Sequence, residues 1–257
     1  MFAGNDRLKR ALLETSIAAI TLGAAGAAQP AELWGAVPYL AIGGGFNFAS
    51  DPSVAFLQDL GTSGGPYPSS VTKQSGLGVG GIGLIAGGLD LKNGWRVELE
   101  GSYRKNSGAR FNVQAEGSSI VGVDRSTYAL MANVWHDFVL ANRLSLHVGG
   151  GLGVADARMN VSDNFGTNTS ISKTEGAYQV GAGLDYELIS GLKATLDYRL
   201  FGLFNQPSDD VTVLTSCGVS PPGNTCSGNS NERVSLAARS GSMDQSIIFG
   251  LRWSIGP

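Results

Sequence analysis

Three groups of residues have types and spacings that could carry chemistry. His136 and His147 are the only histidines and Cys217 and Cys226 the only cysteines, so an imidazole or thiol centre would have to use them. Gly78-Val-Gly80-Gly-Ile-Gly83 has the spacing of a dinucleotide-binding loop. The third group is Arg96, Glu98, Glu100, Arg104, Asp185, Glu187, Lys193, Asp197, Arg199, Asp244 and Arg252, charges of both signs that recur at even spacings. On extended chain an even spacing puts them on one face, where opposite charges can pair or line a passage. What each group can do depends on the elements that carry it.

Those elements read as strands. In Trp95-Arg-Val-Glu-Leu-Glu-Gly-Ser-Tyr-Arg104, Trp95, Val97, Leu99 and Tyr103 share one face and Arg96, Glu98, Glu100 and Arg104 the other. Leu192–Leu200 repeats the pattern, with Leu196 and Tyr198 against Lys193, Asp197 and Arg199. So does the end of the chain, where Ile247, Phe249, Leu251, Trp253 and Ile255 oppose Asp244, Ser246, Arg252 and Ser254. The alternation predicts eight strands, near 34–48, 75–90, 95–106, 124–139, 144–159, 175–188, 191–205 and 241–255. Tight turns at Leu91-Lys-Asn-Gly94, Leu140-Ala-Asn-Arg143 and Ile189-Ser-Gly191 alternate with long polar connections over 49–74, 107–123, 160–174 and 206–240. An even strand count with short turns at one end and long loops at the other is the plan of an outer-membrane barrel.

Composition narrows the alternatives. The 257 residues include 38 glycines, 42% hydrophobic and 15% charged residues, too apolar for a disordered chain. With 18 Lys plus Arg against 21 Asp plus Glu there is no basic field for nucleic acid. A soluble sheet also alternates, but aromatics gathered at strand ends suit a membrane girdle. Trp34, Tyr39, Trp95, Phe138, Tyr186 and Trp253 fall toward the tight-turn end, and Tyr103, Tyr128, Tyr178 and Phe204 toward the long-loop end. Trp95, Tyr103, Tyr128, Tyr198, Phe249 and Trp253 are the expected lipid-facing girdle. Arg7, Lys9 and Arg10 followed by the Ala/Gly-rich apolar run 15–28 read as a secretory signal, cleaved after Ala28 or Ala31. The domain reading is a signal peptide over 1–28 and a barrel over 29–257.

The three groups can then be weighed. A dinucleotide loop must open a helix, and Gly78–Gly83 leads instead into apolar residues and a hairpin turn, so these glycines are expected to relieve crowding in a curved wall. Both histidines fall at the tight-turn end, far from the long loops that hold Cys217 and Cys226, which argues against a Ser-His-acid or zinc centre and for two ordinary strand residues. The cysteines enclose a short ring in the longest loop. In an exported protein they are expected to be oxidised, two free thiols being the alternative. Residues 209–238 of that loop are expected to contribute no strand pairing. The charged group is expected to fill a narrow lumen as ion pairs.

The segments Leu130-Met-Ala-Asn-Val-Trp-His-Asp-Phe138, Leu146-His-Val-Gly-Gly-Gly-Leu-Gly-Val-Ala155, Gly183-Leu-Asp-Tyr-Glu-Leu188, Leu196-Asp-Tyr-Arg-Leu200 and Phe249-Gly-Leu-Arg-Trp253 resemble the eight-stranded outer-membrane β-barrel family. That family includes the outer membrane protein A transmembrane domain, opacity-like proteins and α-proteobacterial surface antigens. The resemblance implies an all-β, up-and-down antiparallel transmembrane barrel in the bacterial outer membrane with its loops outside the cell. It implies a structural or surface-exposed role in envelope integrity, with adhesion or host contact through the loops, no catalysis and no cofactor or metal. A small porin passing ions or small solutes is the alternative, and an outer-membrane enzyme, which the histidine positions disfavour, is the third reading. The implied partners are outer-membrane lipid and lipopolysaccharide, the barrel assembly machinery and a host or cell-surface ligand.

Overall fold

The computed structural model describes residues 36–59, 70–114, 118–164, 166, 168–205, 208–215, 232–239 and 243–255. The signal segment, Trp34 and the two cysteines lie outside the described residues. The strands in chain order are β1 (Val37–Ala49), β2 (Ser53–Asp59), β3 (Ser70–Ser75), β4 (Gly80–Asp90), β5 (Trp95–Gln114), β6 (Ser118–Ala141), β7 (Leu144–Asp163), β8 (Asn168–Ile189), β9 (Leu192–Leu203), β10 (Ser208–Thr215), β11 (Glu232–Arg239) and β12 (Met243–Ser254). Eight of them, β1, β4, β5, β6, β7, β8, β9 and β12, form an antiparallel ring that closes where β1 pairs with both β4 and β12. The protein is therefore an eight-stranded up-and-down barrel.

The short turns form at the predicted places. Between β4 and β5, Lys92 and Gly94 have positive φ of 60° and 83°. Asp90 accepts the Lys92 N–H at 2.9 Å and Asn93 accepts the Trp95 N–H at 3.1 Å. These side chains mimic backbone partners and hold the chain in its reversal. Gly191, at φ 81°, serves the β8–β9 turn.

The wall is lopsided. On β6 the outward apolar side chains run from Phe138 to Tyr128, ten residues or about 33 Å of strand, which at a tilt of ~40° matches a band of about 25 Å. The strands β5 to β8 then continue well beyond that band, so residues 107–114, 118–123, 160–163 and 168–174 are strand where loop was expected. Beyond Tyr103 and Tyr128 the two faces exchange character. On β7, outward Val148, Leu152 and Val154 give way to Asp156, Arg158, Asn160 and Ser162, while inward Ser145 and His147 give way to Ala155, Ala157, Met159 and Val161. Lipid surrounds the first stretch and water the second, so the residues that suit the outside differ. On β5 a bulge between Asn106 and Ala109, with Gly108 at φ 99°, shifts the parity by one residue. Even-numbered residues face inward before it and odd-numbered ones after it, which hides the strand from a search for strict alternation.

Above the band the barrel is capped. The longest connection contains β10 and β11, which pair with each other, and β11 pairs in turn with β2 to complete a separate three-stranded sheet. The expectation that residues 209–238 make no strand pairing is thus corrected. Val211, Leu236 and Ala238 of this sheet close over Ala109, Phe111, Val113, Val121, Val123, Met159, Val161 and Ile171 of the extended wall, with Val54, Phe56, Val71 and Leu77 at the margin. An apolar cluster large enough to exclude water is what gives these polar-looking connections a fixed shape.

Candidate functional site

The glycine-rich β1, β4 and β7 allow the wall to curve tightly around a lumen filled by side chains. A Cβ on Gly151 would lie 2.3 Å from the Ala132 carbonyl oxygen and 2.1 Å from Asn133 Oδ1. Only glycine permits that approach. Gly78–Gly83 runs into strand β4, with no helix following, so the dinucleotide spacing has no structural basis.

Into this lumen point nine of the charged residues singled out from the pattern. Arg96, Glu98, Glu100, Arg104, Asp185, Asp197, Arg199, Asp244 and Arg252 are all buried. Glu187 and Lys193 differ: they face each other in register across β8 and β9 beside the turn and are half-buried. The structure adds partners that the pattern did not mark, namely Tyr39, Arg125, Asn133, Trp135, Asp137, His147 and Gln179.

The geometry is a linked set of ion pairs, with one separate pair nearer the cap. The Arg96 guanidinium grips Asp137, donating from Nε at 2.9 and 3.0 Å, with Nη2 2.8 Å from Oδ1. Arg252 lies 2.7 Å from Asp185 and 3.5 Å from Asp137. His147 is placed between two acids, Nε2 2.9 Å from Asp197 and Nδ1 3.2 Å from Asp185. Arg199 bridges Asp197, at 3.3 Å, and Glu100, with its guanidinium 5.0 Å from the Trp135 ring centre. Glu98 accepts from Tyr39 at 2.9 Å, Trp135 at 3.0 Å and Asn133 at 3.1 Å. Nearer the cap, Arg125 pairs with Asp244 at 2.9 Å, and the Arg104 guanidinium carbon stands over the Phe201 ring, 4.0 Å from its centre. Buried charges persist where each has an opposite charge and further hydrogen bonds, and most of these do.

His147 is the residue that the sequence reading undervalued. It shares inward parity with Ser145 on a strand whose other inward residues there are glycines, so no polar stripe advertised it. Tyr39, assigned to the girdle by its position near a strand end, is 2% exposed and points inward. Of the remaining expected girdle residues, Trp95, Tyr103, Tyr128, Tyr198 and Trp253 are outward and exposed. Phe249 is outward too but stands in mid-strand opposite Leu196, within the band rather than at its rim.

Asp137, His147 and Asp185 bring ligand atoms within 4.8 Å of one another, a grouping that could hold a cation. Their carboxylates are already engaged by Arg96 and Arg252, whose charge repels a metal ion at that spot. The chemistry of this interior is mutual neutralisation. Beside it, on the β1 and β12 side, lies a cavity of about 30 Å³ lined by Gly43, Ala86, His147, Asp197 and Arg252 among others, room for about one water.

An outward apolar band, aromatic rims and a charge-filled lumen define an integral β-barrel of the bacterial outer membrane. The chain belongs to the outer membrane protein beta-barrel domain family, whose model matches residues 15–219. An outer membrane protein of Gluconacetobacter diazotrophicus is 30% identical over 222 residues, 82% of this chain and 56% of that protein. The chain thus spans little more than half of that relative's length. Among solved structures, similarity is found to OprG of Pseudomonas aeruginosa, at 13% identity and a TM-score of 0.47 over 86% of this chain and 97% of that one. Neisserial surface protein A matches at 14% identity and a TM-score of 0.45, over 85% and 97% of the two chains.

Proposed function

We propose that this chain is a sealed envelope barrel whose work lies in anchoring the outer membrane and in contacts made by its capped outer part, without catalysis or solute passage. The observation that carries the reading is the linked set of ion pairs that crosses the lumen from Arg96–Asp137 to Arg199–Glu100, with Arg125–Asp244 as a further pair nearer the cap. Opening a water-filled path would mean separating several buried pairs, each worth several kcal/mol once one partner is removed. The apolar core over the mouth adds a second closure. His147 and its two acids, buried within the barrel, offer no surface to a substrate, which supports a non-catalytic role.

A porin reading has one observation in its favour. Buried Arg104 Nε and Nη2, Glu100 Oε1 and Gln179 Oε1 have no hydrogen-bond partner among the described residues, and such atoms attract water. Planar-bilayer recording of the refolded full chain separates the two. The sealed reading expects a flat baseline with only rare openings, and stable unitary steps at neutral pH would overturn it. For surface contact, binding of the refolded protein to host cells or matrix is expected to disappear when the outer connections are removed in turn. Binding that survives every removal would leave the anchoring role alone.

A further inference from the structure

We infer that the plug is locked by a proton: His147 is held as the doubly protonated imidazolium, and its charge keeps water out of the tight-turn half of the lumen. The inference rests on the sealed reading and names what holds the seal. Without that charge the lumen does not balance. Among the described residues, the buried guanidiniums are those of Arg96, Arg104, Arg125, Arg199 and Arg252. The carboxylates are Glu98, Glu100, Asp185, Asp197 and Asp244, with Asp137, 13% exposed, as one more. Glu187 and Asp90, half-buried beside the turns, stand next to Lys193 and Lys92. Glu98 is held by neutral donors, yet they fix it as an anion. Arg96 donates to the Tyr39 oxygen at 3.4 Å, which turns the Tyr39 hydroxyl hydrogen to Glu98, and Asn133 Nδ2 and Trp135 Nε1 are donors only. The acids therefore outnumber the guanidiniums by one.

His147 is placed to supply the missing cation. Both ring nitrogens stand against acids, Nε2 2.9 Å from Asp197 and Nδ1 3.2 Å from Asp185. A neutral imidazole has one N–H, so its other nitrogen would turn a lone pair on a carboxylate at that distance. The ring has no room to swing away. It stands edge-on to Trp135 with ring centres 5.5 Å apart. On its β8 side a Cβ on Gly183 would lie 2.6 Å from His147 Cε1 and Nε2, so only glycine there leaves space for the imidazole.

The lock stands where water has space to enter. His147 lines the cavity of about 30 Å³ together with Arg96 and Glu98 of β5, Asp185 of β8, Asp197 and Arg199 of β9 and Arg252 of β12. Asp137 of β6 completes the charged groups around the ring, with a carboxylate oxygen within 4.8 Å of the His147 and Asp185 ligand atoms. From β1 and β4 come only apolar residues and glycine, among them Ala41, Gly43 and Ala86. Loss of the imidazolium proton leaves one uncompensated negative charge beside that space. A buried charge without a partner draws in water or a counter-ion, and the small side chains of β1 and β4 leave the way least obstructed there.

The test uses the refolded full chain in micelles, with isotope-labelled histidine and tryptophan read by NMR. At neutral pH both His147 ring nitrogens are expected to carry protons, with His136, which packs against Trp95 and Phe138, as the internal reference. A single N–H on the His147 ring overturns the inference. The lock itself is read from exchange of the Trp135 indole hydrogen, which Glu98 accepts, relative to the chemical rate. His147→Gln removes the charge and is expected to speed that exchange about tenfold at neutral pH. His147→Lys restores a cation and is expected to bring it back toward the wild-type value. Equal exchange in His147→Gln and wild type, or no rescue by His147→Lys, overturns the lock. Should the variants fail to fold, the wild type decides: exchange is expected to rise when alkaline pH removes a proton from the His147 ring in the same spectra, and no rise overturns the lock. Conducting steps at neutral pH would count against the sealed barrel, whereas a singly protonated ring under a flat baseline counts against this inference alone.

Discussion

Glycine and charge decide most at the scale of single residues. Gly151→Ala would drive a methyl into the Ala132 carbonyl and Asn133, whereas a methyl on Gly101 meets nothing within 4 Å. Gly151→Ala is therefore expected to cost about 1–3 kcal/mol and Gly101→Ala close to nothing, as read by urea unfolding in lipid vesicles. Equal effects would contradict the tight approach of β7 to β6. Adjacent residues on β9 offer a sharper contrast. Leu196 is 41% exposed to lipid, and Leu196→Arg should cost about 2–4 kcal/mol by burying charge in hydrocarbon. Asp197→Asn keeps the shape but removes a partner from both His147 and Arg199. It should cost about 2–3 kcal/mol, with the loss abolished in a His147→Gln, Arg199→Gln background where the partners are already gone. A loss that persists in that background would show that Asp197 acts otherwise than through its pairs.

At the scale of elements, the connections are ordered by what they cover. Replacing residues 209–238 by a short turn removes β10 and β11 and bares Phe111, Val121 and Val123. The eight ring strands keep their own pairings, so gel migration should remain heat-sensitive while binding of an apolar fluorescent dye rises. An unchanged dye signal would contradict the cap. Between β1 and β4, Asp51 pairs with Lys73 and accepts the Leu77 N–H at 2.7 Å. The Lys73 hydrogen bond, reinforced by that backbone N–H, holds the Asp51 carboxyl below its ordinary value. A depressed folded-state pKa stabilises fully above the unfolded value of about 4 and loses its effect as pH falls through the lower folded one. Both side chains are substantially exposed, so the contribution stays below about 1 kcal/mol. The protection of the Leu77 amide against hydrogen exchange, taken relative to the chemical rate, should fall as pH drops below about 4, and Asp51→Asn should abolish that pH dependence.

The whole molecule is built on one inversion of polarity. Within the band the outside is apolar and the inside charged, and above it the outside is polar and the inside apolar. The exchange happens along continuous strands, because what changes is the surrounding medium. The alternation of Trp95–Arg104 and Leu192–Leu200, the tight turns and the even strand count were legible from the chain, since each is set by neighbours two to four residues apart. Local pattern could also nominate Arg96, Glu98, Asp197 and Arg252 as one-faced charges. It could not say that His147 sits between Asp185 and Asp197, for those acids come from strands β8 and β9 and meet it only when the ring closes. Nor could it reveal the strand beyond Asn106, where a single bulged residue swaps the two faces. The cap was equally hidden, because Val211, Leu236 and Phe111 become one core through contacts between segments about a hundred residues apart. Period and turn chemistry are properties of short stretches of chain, whereas partner choice, face inversion and closure depend on distant strands brought side by side.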